Sequence, residues 1–323
     1  MTATVCVTGG AGFLGSYVVK RLLEKGYHVK ATVRDPTNAA KVAHLRALPG
    51  ASDRLELFAA DLLQPGAFDK AVEGCAGVFH TASPVQLKAS RDALVAPAVQ
   101  GTLNVLTSCA RVPSIRRVVL TSSVSAVYMH CGTKSPDHIF TEADWSPKDR
   151  LEANAMWYPL SKTLAEEAAI DFVETQRPAF DLVAMCPAWI FGPMLPPSMN
   201  ESSDIVRNLF NAHVVGNLVR NVVDVRNVAD AHVAGFENTK AHGRYLLIAH
   251  SSTEQELCDG LRIALPTLAD QLPTARVPDA QMPKVRFDCR KAMDDLGLRF
   301  FSLQETLEAT CVTMLAHGFL NAK

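Results

Sequence analysis

The chain has 323 residues, 48% of them hydrophobic and 20% charged, and its net charge is −1. This composition is typical of a folded globular protein with one or two domains, and it excludes a disordered chain. The sequence has neither a basic stripe nor an apolar run long enough to cross a bilayer, so we expect no nucleic-acid partner and no membrane partner.

The eight cysteines are scattered, without a C-x-x-C pair or a His/Cys cluster at metal-ligand spacing. This distribution predicts a reduced, cytoplasmic protein with no metal site. A glycine loop stands where a charged leader and an apolar stretch would be, so we expect no secretory signal.

The N-terminal stretch predicts a strand, a glycine turn and a helix. Residues 5–8 are apolar and β-branched, and residues 16–25 are apolar at helical spacing. Between them Gly9, Gly12 and Gly15 form a variant of the G-x-G-x-x-G dinucleotide fingerprint, in which the backbone can approach a pyrophosphate at a helix N-terminus. A glycine turn without a ligand is the alternative, but the flanking strand and helix favour a nucleotide site. The predicted cofactor contacts here are Thr8, Gly9, Gly12, Phe13, Leu14 and Gly15.

A second predicted strand, residues 28–33, delivers Arg34 to the position where such sites meet the adenosine ribose. An acidic side chain there binds the 2′-hydroxyl, whereas an arginine accommodates a 2′-phosphate. Asp35 follows one step later and should point the other way, and Lys41 is close enough to assist. These residues favour NADPH over NADH; the alternative is a solvated surface arginine.

Strands and helices then alternate, which predicts βαβ units and a parallel sheet. Asp61 and Leu62, at the end of the third strand, are placed near the adenine. Thr81, Ala82 and Ser83, at the end of the fourth strand, are small enough for the backbone to pass beside a cofactor. The predicted elements are a third strand at 54–60, a short helix from Pro65, a fourth strand at 77–80, a helix at 90–111, a fifth strand at 117–121 and a sixth strand at 180–186.

Past residue 193 the elements become shorter and irregularly spaced, with prolines between them. We expect a smaller lobe over the carboxyl edge of the sheet, where such folds bind ligands. The predicted domains are residues 1–193 and residues 194–323, with some segments of the second range returning to the sheet. The elements predicted in the second range lie at 203–212, 222–223, 225–237, 244–248 and 302–317.

Tyr158 and Lys162 are four residues apart on a strongly helical stretch and therefore share one face. An ammonium beside a tyrosine is expected to lower the phenol pKa from about 10, so that the tyrosine can serve as a proton donor to a carbonyl oxygen. The same lysine can bind the nicotinamide ribose, and Ser123 can donate a second hydrogen bond to the substrate. A surface pair on an amphipathic helix is the alternative. Pro159 is tolerable only if the helix begins near Trp157.

Together these residues resemble the extended short-chain dehydrogenase/reductases, in particular the dihydroflavonol reductase/cinnamoyl-CoA reductase-like branch. The resemblance covers almost the whole chain. It rests on residues 7–15 (VTGGAGFLG), 32–34 (TVR), 77–84 (GVFHTASP), 101–106 (GTLNVL), 119–123 (VLTSS), the Tyr158-x-x-x-Lys162 pair and 223–229 (VDVRNVA).

The resemblance implies an α/β fold: a Rossmann-type, doubly wound parallel sheet with a smaller C-terminal α/β substrate lobe. It also implies NADPH, a catalytic triad of Ser123, Tyr158 and Lys162, and a nicotinamide pocket lined by Pro187 and Ile190. Substrate choice would be shaped by residues 129–136 and 195–211. The candidate pocket residues are Ser83, Val85, Met129, Trp189 and Leu195.

One signature departs from this pattern. Cinnamoyl-CoA reductases carry Asn-Trp-Tyr-Cys-Tyr-Gly-Lys, whereas residues 156–162 are Met-Trp-Tyr-Pro-Leu-Ser-Lys. The segments that would shape substrate choice contain no cluster of Lys or Arg that could bind a CoA phosphate. His130, His213 and His232 are interpreted as structural or surface residues. We therefore expect an NADPH-dependent reductase of a small aldehyde or ketone, as a monomer or homodimer.

Several alternatives stay open. Dihydroflavonol-type ketones, phenylacetaldehyde-like aldehydes and methylglyoxal-like dicarbonyls are all candidate substrates. A cinnamoyl-CoA-type reductase or a sugar-nucleotide epimerase is the alternative among enzymes, and Arg34 weakens the epimerase. A non-catalytic NADP-sensing regulator is the alternative from another class, weakened by the retained Tyr158 and Lys162.

Overall fold

The computed structural model describes residues 3–84, 89–129, 132–277 and 284–321. The strands are β1 (Thr4–Thr8), β2 (His28–Val33), β3 (Leu55–Ala59), β4 (Gly77–His80), β5 (Arg117–Thr121), β6 (Ile139–Phe140), β7 (Asp181–Pro187), β8 (Trp189–Phe191), β9 (Val214–Val215), β10 (Val219–Asp224), β11 (Gly243–Leu247), β12 (His250–Thr253), β13 (Ala275–Arg276) and β14 (Arg286–Phe287). The helices are α1 (Phe13–Glu24), α2 (Ala39–Arg46), α3 (Ala51–Arg54), α4 (Asp69–Val72), α5 (Arg91–Ala110), α6 (Lys148–Ala153), α7 (Trp157–Gln176), α8 (Glu201–Phe210), α9 (Val225–Glu237), α10 (Glu254–Ala264), α11 (Arg290–Leu296) and α12 (Leu303–Ala316).

A seven-stranded parallel sheet in the order β11-β7-β5-β4-β1-β2-β3 forms the centre of the molecule. The strand order reverses between β1 and β4, because the chain winds outward from β1 on one side and from β4 on the other. In such sheets the crevice at the reversal, outside the carboxyl ends of the strands, is where ligands bind. The predicted Rossmann-type parallel fold is confirmed.

Alternate residues of β1 feed two separate hydrophobic layers. Val5 and Val7 pack with the helices α1 and α9 on one face, whereas Cys6 packs with residues of α5 and β5 on the other. This alternation follows from the two-residue period of a strand, and burial on both faces explains the continuous apolar runs.

A smaller sheet, β12-β10-β8, and the helices α8, α10 and α12 share a core of their own, which includes Phe191, Phe210 and Leu257. Backbone N–H groups of Gly192 and Met194 donate to Thr310 Oγ1 and Thr313 Oγ1 of α12, at 2.8 and 2.9 Å. One strand from beyond residue 193, β11, lies in the main sheet beside β7. The division at residue 193 stays a prediction.

Five helices of the described residues were not predicted from the sequence: α2, α3, α6, α10 and α11. In α2 only Val42 and Leu45 are buried, too few to show a helical period. The helix expected from Pro65 begins at Asp69 instead, and Arg54 ends α3 before β3 begins.

Helix α5 is long and apolar enough to span a membrane by length and composition alone, with a mean hydropathy of 1.2. Within the fold it packs against α7, and 56% of that stretch is buried inside the protein. This is the behaviour of a core helix.

Candidate active site

Thr8 and His80 mark the point where the strand order reverses. They are register partners at the carboxyl ends of β1 and β4, and Thr8 Oγ1 lies 2.8 Å from His80 Nδ1. Thr81 Oγ1 donates to the carbonyl of Thr8 at 2.6 Å, and the N–H of Ala82 donates to Thr8 Oγ1 at 3.2 Å. Thr8, Thr81 and Ala82, predicted at the cofactor site, therefore hold the two strand ends together.

The glycine loop is packed so closely that a side chain at Gly9 or Gly15 would force it to move. A Cβ on Gly15 would lie 2.3 Å from the carbonyl oxygen of Gly9. Gly9 has a φ of +68°, and a Cβ there would lie 2.9 Å from the Cα of Ala82. Gly12 is the N-cap of α1, and no described side chain caps that helix, so its first N–H groups are directed at the loop without a side-chain partner. Such a helix end suits a phosphate.

Arg34 is exposed just beyond β2, and Lys41 lies in the first turn of α2. The carboxylate of Asp35 accepts hydrogen bonds from Thr37, from N–H at 2.9 Å and from Oγ1 at 2.6 Å. These hydrogen bonds lower the pKa of Asp35. Asp35 therefore stays ionised, with its carboxylate turned to Thr37, and Arg34 is the exposed cation at the tip of the strand.

Leu62 is tied to α5 on the same side of the site. Asn104 Nδ2 donates to its carbonyl at 3.0 Å, and its side chain occupies the space that a Cβ on Gly101 would need, 2.4 Å away. The neighbouring Asp61 accepts from the N–H of Leu63 at 2.9 Å. These contacts fix the segment that the sequence placed near the adenine.

Ser123, Tyr158 and Lys162 come together at the carboxyl end of β5. Ser123 caps a short 3₁₀ turn, with its Oγ 2.7 Å from Ser125 Oγ, and it lies near enough to Tyr158 to act on the pKa of the phenol. Helix α7 begins at Trp157, as predicted, so Pro159 lies in the first turn, where no N–H is needed. Lys162 is 6% exposed.

The pKa values follow from burial. Burial lowers the pKa of Lys162 to about 8, opposed by the nearby Glu166 and Cys186. Burial raises the pKa of Tyr158, opposed by its hydrogen bond with Ser123. The prediction that the Tyr158 pKa is lowered is therefore wrong for the protein alone, because desolvation of the phenolate outweighs its stabilisation. Tyr158 stays protonated at neutral pH, as a proton donor must be.

The residues predicted around the nicotinamide and substrate follow the ends of β4, β5 and β7. Pro187 is buried at the end of β7, and Ile190 and Trp189 lie half-buried in β8. Leu195 packs on the main core. The N–H of Met129 donates to Ser146 Oγ at 3.0 Å. Val85 lies outside the described residues, as do His130 and Cys131 of the predicted 129–136 segment, and Ser83 is half-buried after β4.

Two cavities can be compared. A narrow one of about 10 Å³, room for about one water, lies between the ends of β4 and β5 and helix α7 and is lined by His80, Ser83, Lys162 and Glu166 among others. A larger one of about 410 Å³ lies beside β3 and is lined by Pro36, Arg46 and Leu57 among others. No predicted site residue lines the larger one, so it is not part of this site.

Comparison with known proteins identifies the family. The chain matches the 3-beta hydroxysteroid dehydrogenase/isomerase family over residues 6–245. It belongs to this family. The family is one of the extended short-chain dehydrogenase/reductases, and the chain is an oxidoreductase.

Similar proteins match along nearly their whole length. Cinnamoyl-CoA reductase CAD2 of Medicago truncatula is 42% identical over 98% of this chain and 97% of its own. Tetraketide alpha-pyrone reductase 1 of Arabidopsis thaliana is 40% identical over 98% and 97%. The structure of Gre2 from Candida albicans in complex with NADPH is 31% identical, with a TM-score of 0.86 over 98% of this chain and 99% of the other.

This extended short-chain dehydrogenase/reductase also contains a polar network that sequence reasoning missed. Glu166 lies one helical turn beyond Lys162, and its buried carboxylate binds Arg244 of β11 and Ser122. The four-residue spacing of Lys162 and Glu166 was available as a signal. No local sequence signal pointed to Arg244, because 78 residues separate it from Glu166. His232 is a buried structural residue and His213 is exposed.

Proposed function

We propose that the protein is a carbonyl reductase that uses NADPH to reduce an aldehyde or a ketone to the alcohol. The observation that carries this proposal is the convergence of Tyr158, Ser123 and Lys162 at the carboxyl end of β5, next to the strand reversal. A buried lysine beside a protonated tyrosine is the arrangement that protonation of a carbonyl oxygen requires.

The described residues fit the cofactor. The absence of a Cβ at Gly9 and Gly15 lets the loop fold tightly against Ala82 and on itself, and the uncapped N-terminus of α1 offers N–H donors to a pyrophosphate. Arg34 and Lys41 provide positive charge for a 2′-phosphate. NADPH, when bound, supplies the hydride.

Each member of the triad has a distinct role in the proposal. Tyr158 donates its proton to the carbonyl oxygen as negative charge develops there. Lys162 binds the nicotinamide ribose and stabilises the phenolate that Tyr158 leaves. Ser123 donates a hydrogen bond that orients the carbonyl.

The substrate class is proposed more broadly. Free carbonyls are favoured because residues 156–162 keep only the Trp, Tyr and Lys of the cinnamoyl-CoA reductase signature. The name of the Medicago truncatula relative supports a cinnamoyl-CoA thioester as the second candidate. The Arabidopsis thaliana relative, a tetraketide alpha-pyrone reductase, supports a polyketide-like ketone.

The test is NADPH oxidation by the purified protein against a mixed panel. The panel contains aromatic and aliphatic aldehydes, dicarbonyls, dihydroflavonols and hydroxycinnamoyl-CoA thioesters, with NADH in parallel. Turnover of a free carbonyl with NADPH preferred is the expected result. Turnover of thioesters alone would replace the substrate class, and NADPH binding without any reduction would point to the non-catalytic sensor.

We also propose a cytoplasmic location and a monomer or homodimer. The seven cysteines of the described residues are free, and six are buried, which is typical of a reducing compartment. Light scattering on the purified protein distinguishes the two assemblies.

A further inference from the structure

We propose that Glu166 is a positioning residue for the reaction: from a buried ion pair with Arg244 it orients the Ser122–Ser123 backbone and places a negative charge beside Lys162. The inference rests on the proposed function, because it concerns the same catalytic groups. Glu166 is 1% exposed, and it lines the same narrow cavity as Lys162.

Both oxygens of the Glu166 carboxylate are engaged. Arg244 Nε donates to Oε1 at 2.7 Å, and Arg244 Nη2 donates to Oε2 at 3.2 Å. Ser122 Oγ donates to Oε2 at 2.5 Å. Charge-assisted hydrogen bonds of this kind are stronger than neutral ones and fix orientation as well. The carboxylate is therefore held in one position.

Arg244 anchors the network to the frame of the protein. Its Nη1 donates to the carbonyls of Glu142 at 3.0 Å and Asp144 at 2.6 Å, and its guanidinium stacks 3.8 Å above the ring of Trp145. The residue is 7% exposed and sits in β11, at the edge of the sheet. The far partner of Glu166 thus has little freedom to move.

Ser122 transmits this order to the catalytic groups because it lies between two residues that touch them. Thr121, before it, accepts the hydrogen bond of Lys162 through its carbonyl, at 3.4 Å. Ser123, after it, lies near enough to Tyr158 to lower the pKa of its phenol. Ser122 itself is held by Glu166 through its side chain and by Met185 through its N–H, at 2.8 Å. Loss of the side-chain tie frees the segment that aligns the triad.

The charge of Glu166 acts on Lys162 directly. A carboxylate favours the ammonium form of a buried lysine, against the burial that disfavours it. The other groups around the ammonium are neutral or are themselves bound to the carboxylate. The titratable, charged or polar groups on the packed elements are Tyr158 and Glu166 on α7, His80 on β4, Thr121 on β5, Cys186 on β7, Arg244 on β11 and the neutral Thr102 on α5.

Three variants separate orientation from charge. Glu166→Gln removes the negative charge and the ion pair with Arg244. Ser122→Ala removes only the hydrogen bond that Ser122 Oγ donates to the Glu166 carboxylate. Glu167→Gln is the matched control: it removes a neighbouring acid of the same helix, which binds the exposed Lys148. For each we measure kcat, KM, NADPH affinity, the pH profile of kcat, and the pKa of Lys162 by NMR of its labelled side chain.

For Glu166→Gln we expect kcat to fall by about tenfold or more, since a misplacement of the reacting groups by about 1 Å can cost about 100-fold. The pKa of Lys162 should fall by about one unit or more. The fall of kcat at high pH should begin at a correspondingly lower pH. For Ser122→Ala we expect the same fall in kcat, with the pH dependence of kcat at high pH unchanged. NADPH affinity should change less than about twofold in both, and Glu167→Gln should match the wild type.

A folded Glu166→Gln with wild-type kcat, or with an unmoved Lys162 pKa, overturns the inference. If that variant does not fold, Ser122→Ala decides, and wild-type kcat there overturns the orienting role. The NMR pKa does not depend on turnover. Failure of the proposed function, seen as an inactive wild type, is therefore distinguishable from failure of this inference, seen as an unmoved Lys162 pKa in Glu166→Gln.

Discussion

The ammonium of Lys162 donates a 3.4 Å hydrogen bond to the backbone carbonyl of Thr121. The side chain of the same threonine lies 2.7 Å from His232 Nε2, and the other ring nitrogen of His232 lies 2.7 Å from the carbonyl of Val228. The end of β5 is thus tied to α7 on one side and α9 on the other. Lys162 is buried at this junction, and burial there disfavours its charged form.

This burial predicts that Lys162→Met stabilises the protein while abolishing turnover. The pKa of Lys162 falls from 10.5 to about 8, and this difference corresponds to roughly 3 kcal/mol. Because the folded-state pKa is lowered, the cost is present in full below pH 8 and fades as the pH rises toward 10.5. Urea unfolding at pH 7 should show Lys162→Met more stable by up to about 3 kcal/mol, and the gap should close by pH 10.5. A less stable variant at pH 7 would contradict the prediction.

Tyr158→Phe should bind NADPH normally and lose most of its turnover. The substitution removes only the phenol hydroxyl, which lies near Ser123, and loss of a general acid costs about 10²–10⁴-fold in rate. The measurement pairs a fluorescence titration with NADPH and single-turnover kinetics. Tyr128→Phe, another tyrosine in the loop after β5, provides the control for loss of a phenol. Weak NADPH binding with intact turnover would sink the assignment of Tyr158 as the donor.

Arg34→Ala should weaken NADPH binding by about 1.5–3 kcal/mol, the scale of a hydrogen bond to a charged group, and leave NADH nearly unchanged. The reason is that Arg34 is an exposed cation just beyond β2, while the Asp35 carboxylate is held by hydrogen bonds from Thr37. Lys70→Ala, which removes one exposed positive charge on α4, controls for net charge. Isothermal titration with both cofactors measures the effect. Equal losses for both would show that Arg34 does not bind the 2′-phosphate.

Gly15→Ala should lose cofactor affinity as well as stability. The added Cβ would lie 2.3 Å from the carbonyl of Gly9 and 2.9 Å from Thr81 Oγ1, so the loop must move. Overpacking of this kind costs roughly 1–3 kcal/mol. Gly74→Ala is the control: a Cβ there meets nothing within 4 Å, although the φ of +70° strains it. Thermal unfolding should respond in both variants and NADPH affinity only in Gly15→Ala; unchanged NADPH affinity in Gly15→Ala would refute the phosphate-cradle role.

Local sequence pattern determined the elements whose signals are contained within themselves. The strands β2, β4 and β5 have the predicted bounds, because each is a short run of mostly buried residues between turn residues. The start of α7 at Trp157 followed from Pro159 alone, since proline is tolerated only in the first turn. The glycine spacing and the Tyr158–Lys162 spacing likewise needed no knowledge of the rest of the chain.

Only the tertiary structure decided what depends on distant partners. The pair of Glu166 and Arg244 joins residues 78 apart, and no local pattern selects one arginine from the others. The direction of the Tyr158 pKa was mispredicted for the same reason, because desolvation is set by whatever packs around the phenol. Periodicity specifies which face of an element is buried, whereas the identity of the neighbours on that face is fixed by the way the chain winds through β5, β7 and β11.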